Sequence, residues 1–182
     1  MKIQKAKKII GKTLTFRNAT IEDAEFILSL RTDPVKSRFL NVTSPLLEDQ
    51  RVWLANYEKA NDQAYFIIQY ENKCIGTIRL YDQRGDSFCW GSWILIDGRP
   101  SQAAMESLLM IYSYASHHLG FTASHFDVRK ENEKAWRFYD RFGAKRIGEN
   151  NLDFFYSLSG SGMKDVLLKH ASFLSDPVTV IR

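Results

Sequence analysis

The run Val128-Arg-Lys-Glu-Asn-Glu-Lys-Ala-Trp-Arg-Phe-Tyr-Asp-Arg-Phe-Gly-Ala144 constrains the fold more than any other part of the chain. It reads as the end of a strand, a turn that places Asn132 at a helix N-cap, one short helix, and a stop at Gly143. Asn132, Ala135 and Tyr139 are spaced three and four residues apart, so one helical face presents a cap, a small gap and a phenol. A helix this short needs a sheet to complete it, and the upstream chain reads as that sheet.

Lys12-Thr-Leu-Thr-Phe-Arg-Asn18 alternates apolar and polar residues and reads as a first strand. Thr20 with Asp23 opens a first helix, which Pro34 ends, and Pro45 opens a second that runs to about Lys59. Ala64–Tyr70 and Lys73–Tyr81 flank the hairpin turn Glu71-Asn72, and Phe88–Ile96 is a third, more apolar strand. Met105, Leu108, Leu109, Tyr112, Ala115 and Leu119 mark a long amphipathic helix ending at Gly120. Ser124–Arg129 is a strand, then comes the short helix, then Lys145–Glu149 and Leu152–Leu158 as a hairpin through Asn150-Asn151. The expected fold class is α/β (α+β): a mixed central sheet of about seven strands flanked by helices, in the order β-α-α-β-β-β-α-β-α-β-β. Residues 1–158 form one expected domain. Residues 159–182 form a Ser159-Gly-Ser-Gly162 linker and a helical appendage free to dock on this domain or on a second subunit, which leaves a homodimer open.

Hydrophobic residues at 45% and aromatics at 13% set the chain apart from disordered sequences. No apolar run approaches the roughly 20 residues of a membrane span, and the start MKIQKAKKIIGK has too short an apolar part for a signal peptide. Cys74 and Cys89 lie in strand-like runs without metal-ligand spacing, so they read as buried free thiols of a cytoplasmic protein with no metal site. The net charge of +4 comes without the basic face with interleaved aromatics that nucleic acid would require, so neither nucleic acid nor membrane is expected; ordinary surface scatter accounts for the excess, and a polyanionic small molecule would explain it equally well.

The joint Ile94-Leu-Ile-Asp-Gly-Arg-Pro-Ser-Gln-Ala-Ala-Met-Glu106 runs from a strand through a turn into a helix N-terminus. Unpaired backbone N–H groups and the positive end of the helix dipole suit a pyrophosphate there, with Arg99 adding a cation. Together with the Asn132–Ala135–Tyr139 spacing, this joint resembles the GNAT superfamily, the GCN5-related N-acetyltransferases. The matching segments span Phe88 to Glu149, and the element order extends the likeness over about residues 12 to 158. The family's phosphate loop, R/Q-x-x-G-x-G/A, is similar to Arg99-Pro-Ser-Gln102-Ala-Ala104, with Gln102 standing where the family has glycine.

That resemblance implies acetyl-CoA as cosubstrate. It would be held by Ile94, Leu95, Ile96, Arg99, Gln102, Ala103, Ala104, Asn132 and Ala135, with Tyr139 facing the coenzyme sulfur as the catalytic residue. A phenol near pKa 10 can protonate a departing thiolate whose solution pKa is about 8.5. Backbone N–H groups around Ser92–Leu95 could hold the oxyanion. No Glu, Asp or His occupies the central strand, and His125 is the nearest titratable candidate for a base, while His117-His118 read as solvated. Arg31, Asp33, Arg38, Trp53, Arg79, Tyr81 and Trp90 are the acceptor-side candidates. Arg31-Thr-Asp-Pro34, with Glu48 and Trp53-Leu54, resembles the branch of ribosomal-protein and amino-sugar acetyltransferases. The expected activity is acetyl transfer to the primary amine of a small molecule, with a nucleotide-linked amino sugar as the leading specific acceptor. The alternatives are a ribosomal or N-terminal protein amine, and a non-catalytic ligand-binding module.

Overall fold

The computed structural model describes residues 2–174 and 177–182; Met1 of the basic start and Ser175 and Asp176 of the expected appendage lie outside the described residues. In chain order come β1 (Lys8–Ile10), β2 (Leu14–Asn18), a tight turn at Ile21–Asp23 leading into α1 (Ala24–Thr32), and α2 (Leu47–Lys59). Then follow β3 (Ala64–Tyr70), β4 (Lys73–Arg84), β5 (Ser87–Leu95), and α3 (Ala103–Ser113), which widens into a π turn at Tyr114–His118. The chain closes with β6 (Ala123–Arg129), α4 (Glu133–Phe142), β7 (Lys145–Glu149), β8 (Asp153–Ser159), α5 (Gly160–Lys169) and β9 (Thr179–Ile181). From β2 to β8 the order is the expected one, in a single open mixed sheet with strand order β7-β8-β6-β5-β4-β3-β2-β1-β9.

The local signals act as their chemistry demands. Asp23 accepts the Thr20 N–H at 2.9 Å and the Arg17 guanidinium at 2.6 Å, which ties the start of α1 to β2. Glu71 and Asn72 both have positive φ, 48° and 61°, as a two-residue hairpin of matching twist requires. Two apolar layers result. The larger joins the sheet to α3, α4 and α5, while the smaller packs Ile27 of α1 and Leu54 and Tyr57 of α2 on Tyr65 and Ile67 of β3. Among the described residues no helix is long and apolar enough to cross a membrane.

Among the described residues the sheet has nine strands rather than about seven. The additional two, β1 and β9, are three residues each, too short to show a period. They pair with each other at Ile9↔Val180, and Ile9 is buried because β2 and β9 close around it. Ser159–Gly162 is not a flexible linker. Ser159 ends β8 and its hydroxyl caps α5 by accepting the Gly162 N–H at 3.2 Å. A Cβ at Gly160 would come within 2.8 Å of the Thr122 carbonyl, so the small residue serves a close approach. The helix that follows buries Met163, Val166 and Leu167 in the main core of its own chain. Cys89 is buried as expected, but Cys74 is only half-buried, with its sulfur 3.6 Å from the Arg17 guanidinium. His118 is not solvated; its Nε2 meets the Val178 carbonyl at 2.8 Å.

The β4–β5 ladder places Gly76 against Leu95, and a Cβ at Gly76 would sit 2.3 Å from the Ile94 carbonyl oxygen. Backbone cannot yield as a side chain does, so Gly76→Ala should lower stability by about 2 kcal/mol. Urea unfolding checks this, and a loss under about 0.5 kcal/mol would show that these strands have room to separate.

Candidate active site

The site originates in one parallel pair of strands. β5 and β6 are joined through α3 and pair at Ser87↔Ala123, Phe88↔Ser124 and Cys89↔His125, and beyond Cys89 they diverge. The backbone groups of β5 that face β6 therefore lack a strand partner from Trp90 onward. A cavity of about 660 Å³ occupies the divergence. Its walls include Trp90, Phe126 and Tyr139 from the α3–α4 side and Arg31, Trp53 and Arg79 from the α1–α2 side, so it passes through the sheet.

β5 is irregular at this point. Arg79↔Gly91 is followed by Thr77↔Ile94, so one intervening residue of β4 faces two of β5, Ser92 and Trp93. Ser92 has φ of +47°, a strained value for a residue with a Cβ. The conformation is held by the Thr77 hydroxyl, which donates to the Ser92 carbonyl at 2.7 Å, while the Arg31 guanidinium lies 3.4 Å from the Ser92 hydroxyl. Such a bulge turns peptide groups out of the ladder and toward the cavity.

On the opposite wall α4 presents the three spaced residues, and Asn132, Ala135 and Tyr139 all line the cavity. Asn132 caps the helix, its Oδ1 accepting the Ala135 N–H at 3.2 Å, which leaves its amide hydrogens to donate elsewhere. Tyr139 is 7% exposed, with ring centroids 4.8 Å from Phe126 and 5.8 Å from Trp90. Among the described residues nothing hydrogen-bonds its hydroxyl. Burial pushes its pKa well above the usual tyrosine value, so the phenol stays protonated at neutral pH.

The other expected coenzyme residues lie outside the cavity walls, at the end of β5 and the start of α3. Ile94 is buried, and Leu95 and Ile96 pack against the core. The Arg99 guanidinium donates to the Ile96 carbonyl at 2.9 Å, folding that side chain back onto the strand end. Ala103 is fully buried and its N–H donates to the Pro100 carbonyl at 3.0 Å, so its amide is already engaged. Among the described residues the N–H groups of Gln102, Ala104 and Met105 meet no protein acceptor. Because β5 and β6 run parallel, the N-termini of α3 and α4 stand at the same end of the sheet, where open amides and aligned dipoles favour an anion.

Of the acceptor-side candidates, Arg31, Trp53, Arg79, Tyr81 and Trp90 line the cavity. Asp33 instead accepts from Lys36 at 2.8 Å, and Arg38 lies over the Phe39 ring. Arg79 lies between the rings of Trp53 and Tyr81, at 5.1 and 4.8 Å. Its Nε is buried without a hydrogen-bond partner, no carboxylate among the described residues pairs with it, and burial lowers its pKa. Arg31 donates from Nε to the Thr43 hydroxyl at 2.6 Å and from its terminus to the Asn41 carbonyl, again without a carboxylate. Arg129 is paired with Asp153 at 2.9 Å.

His125 does not reach the cavity. Its Nδ1 is 2.7 Å from the Ser87 hydroxyl and its Nε2 3.4 Å from Asp82. Asp127, two residues on, lines the cavity and was missed from sequence. The available signal was the period of β6, in which buried Phe126 and Val128 leave Asp127 on the other face.

The sequence profile of the acetyltransferase (GNAT) domain matches residues 13–145. Apo FdhC, a nucleotide-linked sugar GNAT, superposes with a TM-score of 0.82 at 36% identity, covering 92% of this chain and 98% of its own. Two more distant structures share the fold. A GCN5-related N-acetyltransferase from Brucella melitensis has a TM-score of 0.75 at 16% identity over 92% of this chain and 85% of its own. A chimera of spermidine N-acetyltransferase SpeG from Vibrio cholerae and hSSAT has a TM-score of 0.72 at 16% identity over 85% of this chain and 99% of its own. No curated protein matches the sequence. With the profile spanning most of its length and a relative 36% identical across nearly all of it, the chain belongs to the GNAT acetyltransferase family.

Proposed function

We propose that this protein acetylates a primary amine on a nucleotide-linked amino sugar, with acetyl-CoA as donor. The observation that carries the acceptor is Arg79, a largely buried guanidinium that has no counter-ion among the described residues, in the α1–α2 half of the cavity. Leaving such a charge unpaired is costly, and the arrangement makes sense where a ligand brings the anion. The diphosphate of a sugar nucleotide supplies it, with Arg31 alongside. FdhC, as a nucleotide-linked sugar GNAT, supports the same assignment. A polyamine would instead bring several positive charges toward two unpaired guanidiniums.

The residues present fit acetyl-CoA. The open amides of Gln102 and Ala104, with Arg99 near the helix start, suit its pyrophosphate. The unpaired edge of β5 and the Asn132 amide suit the polar groups of its pantetheine arm. When bound, acetyl-CoA supplies a thioester carbonyl as electrophile. The bulge at Ser92–Trp93 offers backbone N–H to the developing oxyanion, and Tyr139, held protonated by burial, donates to the departing sulfur.

Calorimetry with acetyl-CoA, followed by thiol release with UDP-glucosamine, a dTDP-linked aminodideoxyhexose, spermidine and a peptide with a free N-terminus, tests this. A nucleotide-linked amino sugar should exceed spermidine at least about 100-fold in kcat/KM, which is about 2.7 kcal/mol of discrimination. Arg79→Met should raise the acceptor KM about 10-fold or more and leave that of acetyl-CoA unchanged. Preferential turnover of spermidine or the peptide would refute the acceptor assignment.

A further inference from the structure

An acceptor amine that arrives as an ammonium becomes a nucleophile only after losing a proton. We propose that Asp127 is the general base that takes this proton. The inference rests on acetyl transfer being the activity.

Among the described residues only two carboxylates line the cavity, Asp49 and Asp127, and no histidine does. Asp49 lies on α2, where its Oδ2 accepts the Ser44 hydroxyl at 2.5 Å. Asp127 lies at the divergence itself, beyond the last β5–β6 pair, Cys89↔His125. Side chains alternate along β6. Phe126 faces the Tyr139 ring at 4.8 Å, so Asp127, one residue on, points to the α1–α2 side. An acid and a base therefore flank the gap from opposite faces of the sheet. Each side of the gap then has its own proton-transfer group.

Among the described residues no cation forms an ion pair with Asp127. Arg129, on its own strand, is engaged by Asp153 of β8 at 2.9 Å, and Arg84 is engaged by Asp82 at 2.6 Å. His125, also on its strand, is held by Ser87. Tyr81 and Cys89 face it from β4 and β5, both protonated at neutral pH, with burial pushing the Cys89 thiol up to about 11. Arg31 and Arg79 line the same cavity, Arg79 pairing with Gly91 two residues beyond Cys89, and among the described residues neither forms an ion pair with Asp127. Asp127 is open to the cavity, yet the surrounding protein and then the Asp153 carboxylate raise its pKa above the usual carboxylate value, against the opposing pull of Arg129 and Arg84. A carboxylate shifted upward is a stronger base.

The protons balance. Asp127 takes one proton from the ammonium and later returns it to water. The freed nitrogen lone pair forms the C–N bond as the C–S bond breaks. Asp127, once it has passed the first proton to water, takes the second from nitrogen in the same way, while Tyr139 gives its proton to the leaving sulfur and is reprotonated from water, so one amide, one thiol and one released proton result.

The test is Asp127→Asn, with Asp127→Glu beside it, using UDP-glucosamine and the dTDP-linked aminodideoxyhexose as acceptors. At pH 7, kcat/KM should fall about 100-fold in Asp127→Asn, with acetyl-CoA affinity and thermal midpoint unchanged. The loss should narrow to about 10-fold or less near pH 9.5, where the free amine is abundant, and Asp127→Glu should recover part of the rate. Unchanged turnover, or an equal loss at every pH, would overturn the assignment while leaving acetyl transfer intact. Absence of wild-type turnover with every amine would instead overturn acetyl transfer, and the base with it.

Discussion

Tyr139→Phe is expected to lower kcat about 100-fold while acetyl-CoA binds within about twofold of wild type. The substitution removes a single oxygen from a ring that stays packed against Trp90 and Phe126. Among the described residues that oxygen has no hydrogen-bond partner, so its loss leaves no donor or acceptor stranded and folding stability should change by less than about 0.5 kcal/mol. Activity and stability should therefore separate. A purely structural tyrosine in this aromatic cluster would give the opposite pattern, with turnover untouched. The pH profile adds a second check. Burial raises the phenol's pKa, so the acid form persists throughout the neutral range, and ionisation of Tyr139 should remove no activity below the ordinary tyrosine value of about 10. Steady-state kinetics of the variant alongside calorimetry with acetyl-CoA would settle the matter. Wild-type kcat in the variant would eliminate Tyr139 from proton transfer.

Legibility in the sequence followed the reach of the interactions. Local ones were readable. The Glu71-Asn72 turn, the stops at Pro34 and Gly143, and the Asn132 cap each depend on a few neighbouring residues, and each lies where its chemistry requires. The three-residue strand β9 depends on a partner more than 160 positions away, Val180 facing Ile9, and no local pattern announces such pairing, while β1, which also pairs with nearby β2, is too short to show a period. The cavity was half legible. Asn132, Ala135 and Tyr139 share a helix, so their spacing placed them on one face before any coordinates. Asp127 and the bulge at Ser92–Trp93 acquire meaning only where β5 and β6 part, a long-range property of two strands. Composition along the chain distinguished neither an unpaired arginine such as Arg79 from a paired one such as Arg129, nor an engaged histidine such as His125 from a free base.

Glu106→Ala should cost about 4 kcal/mol of folding stability, the largest structural effect expected of any single substitution considered, and lower the thermal midpoint by about 10 °C. Glu106 lies in the first turn of α3 and is fully buried. Its carboxylate accepts the Thr13 N–H at 2.6 Å, the Thr13 hydroxyl at 2.5 Å and the Leu14 N–H at 2.8 Å. Hydrogen bonds to a charged acceptor are the strong ones, and truncation leaves two backbone donors without partners in the interior. Glu106→Gln keeps one oxygen as acceptor, and the Thr13 hydroxyl can turn to accept from the new amide, so it should cost only about 1 to 2 kcal/mol. The same carboxylate fixes the start of α3, whose open amides at Gln102 and Ala104 are the proposed pyrophosphate site. Acetyl-CoA affinity should accordingly fall in Glu106→Ala even at temperatures where the variant is fully folded, with turnover at saturating coenzyme much less affected. Chemical denaturation and coenzyme titration of the two variants would read both effects. A loss below about 1 kcal/mol in Glu106→Ala would mean that the strand and the helix hold their places through apolar packing alone.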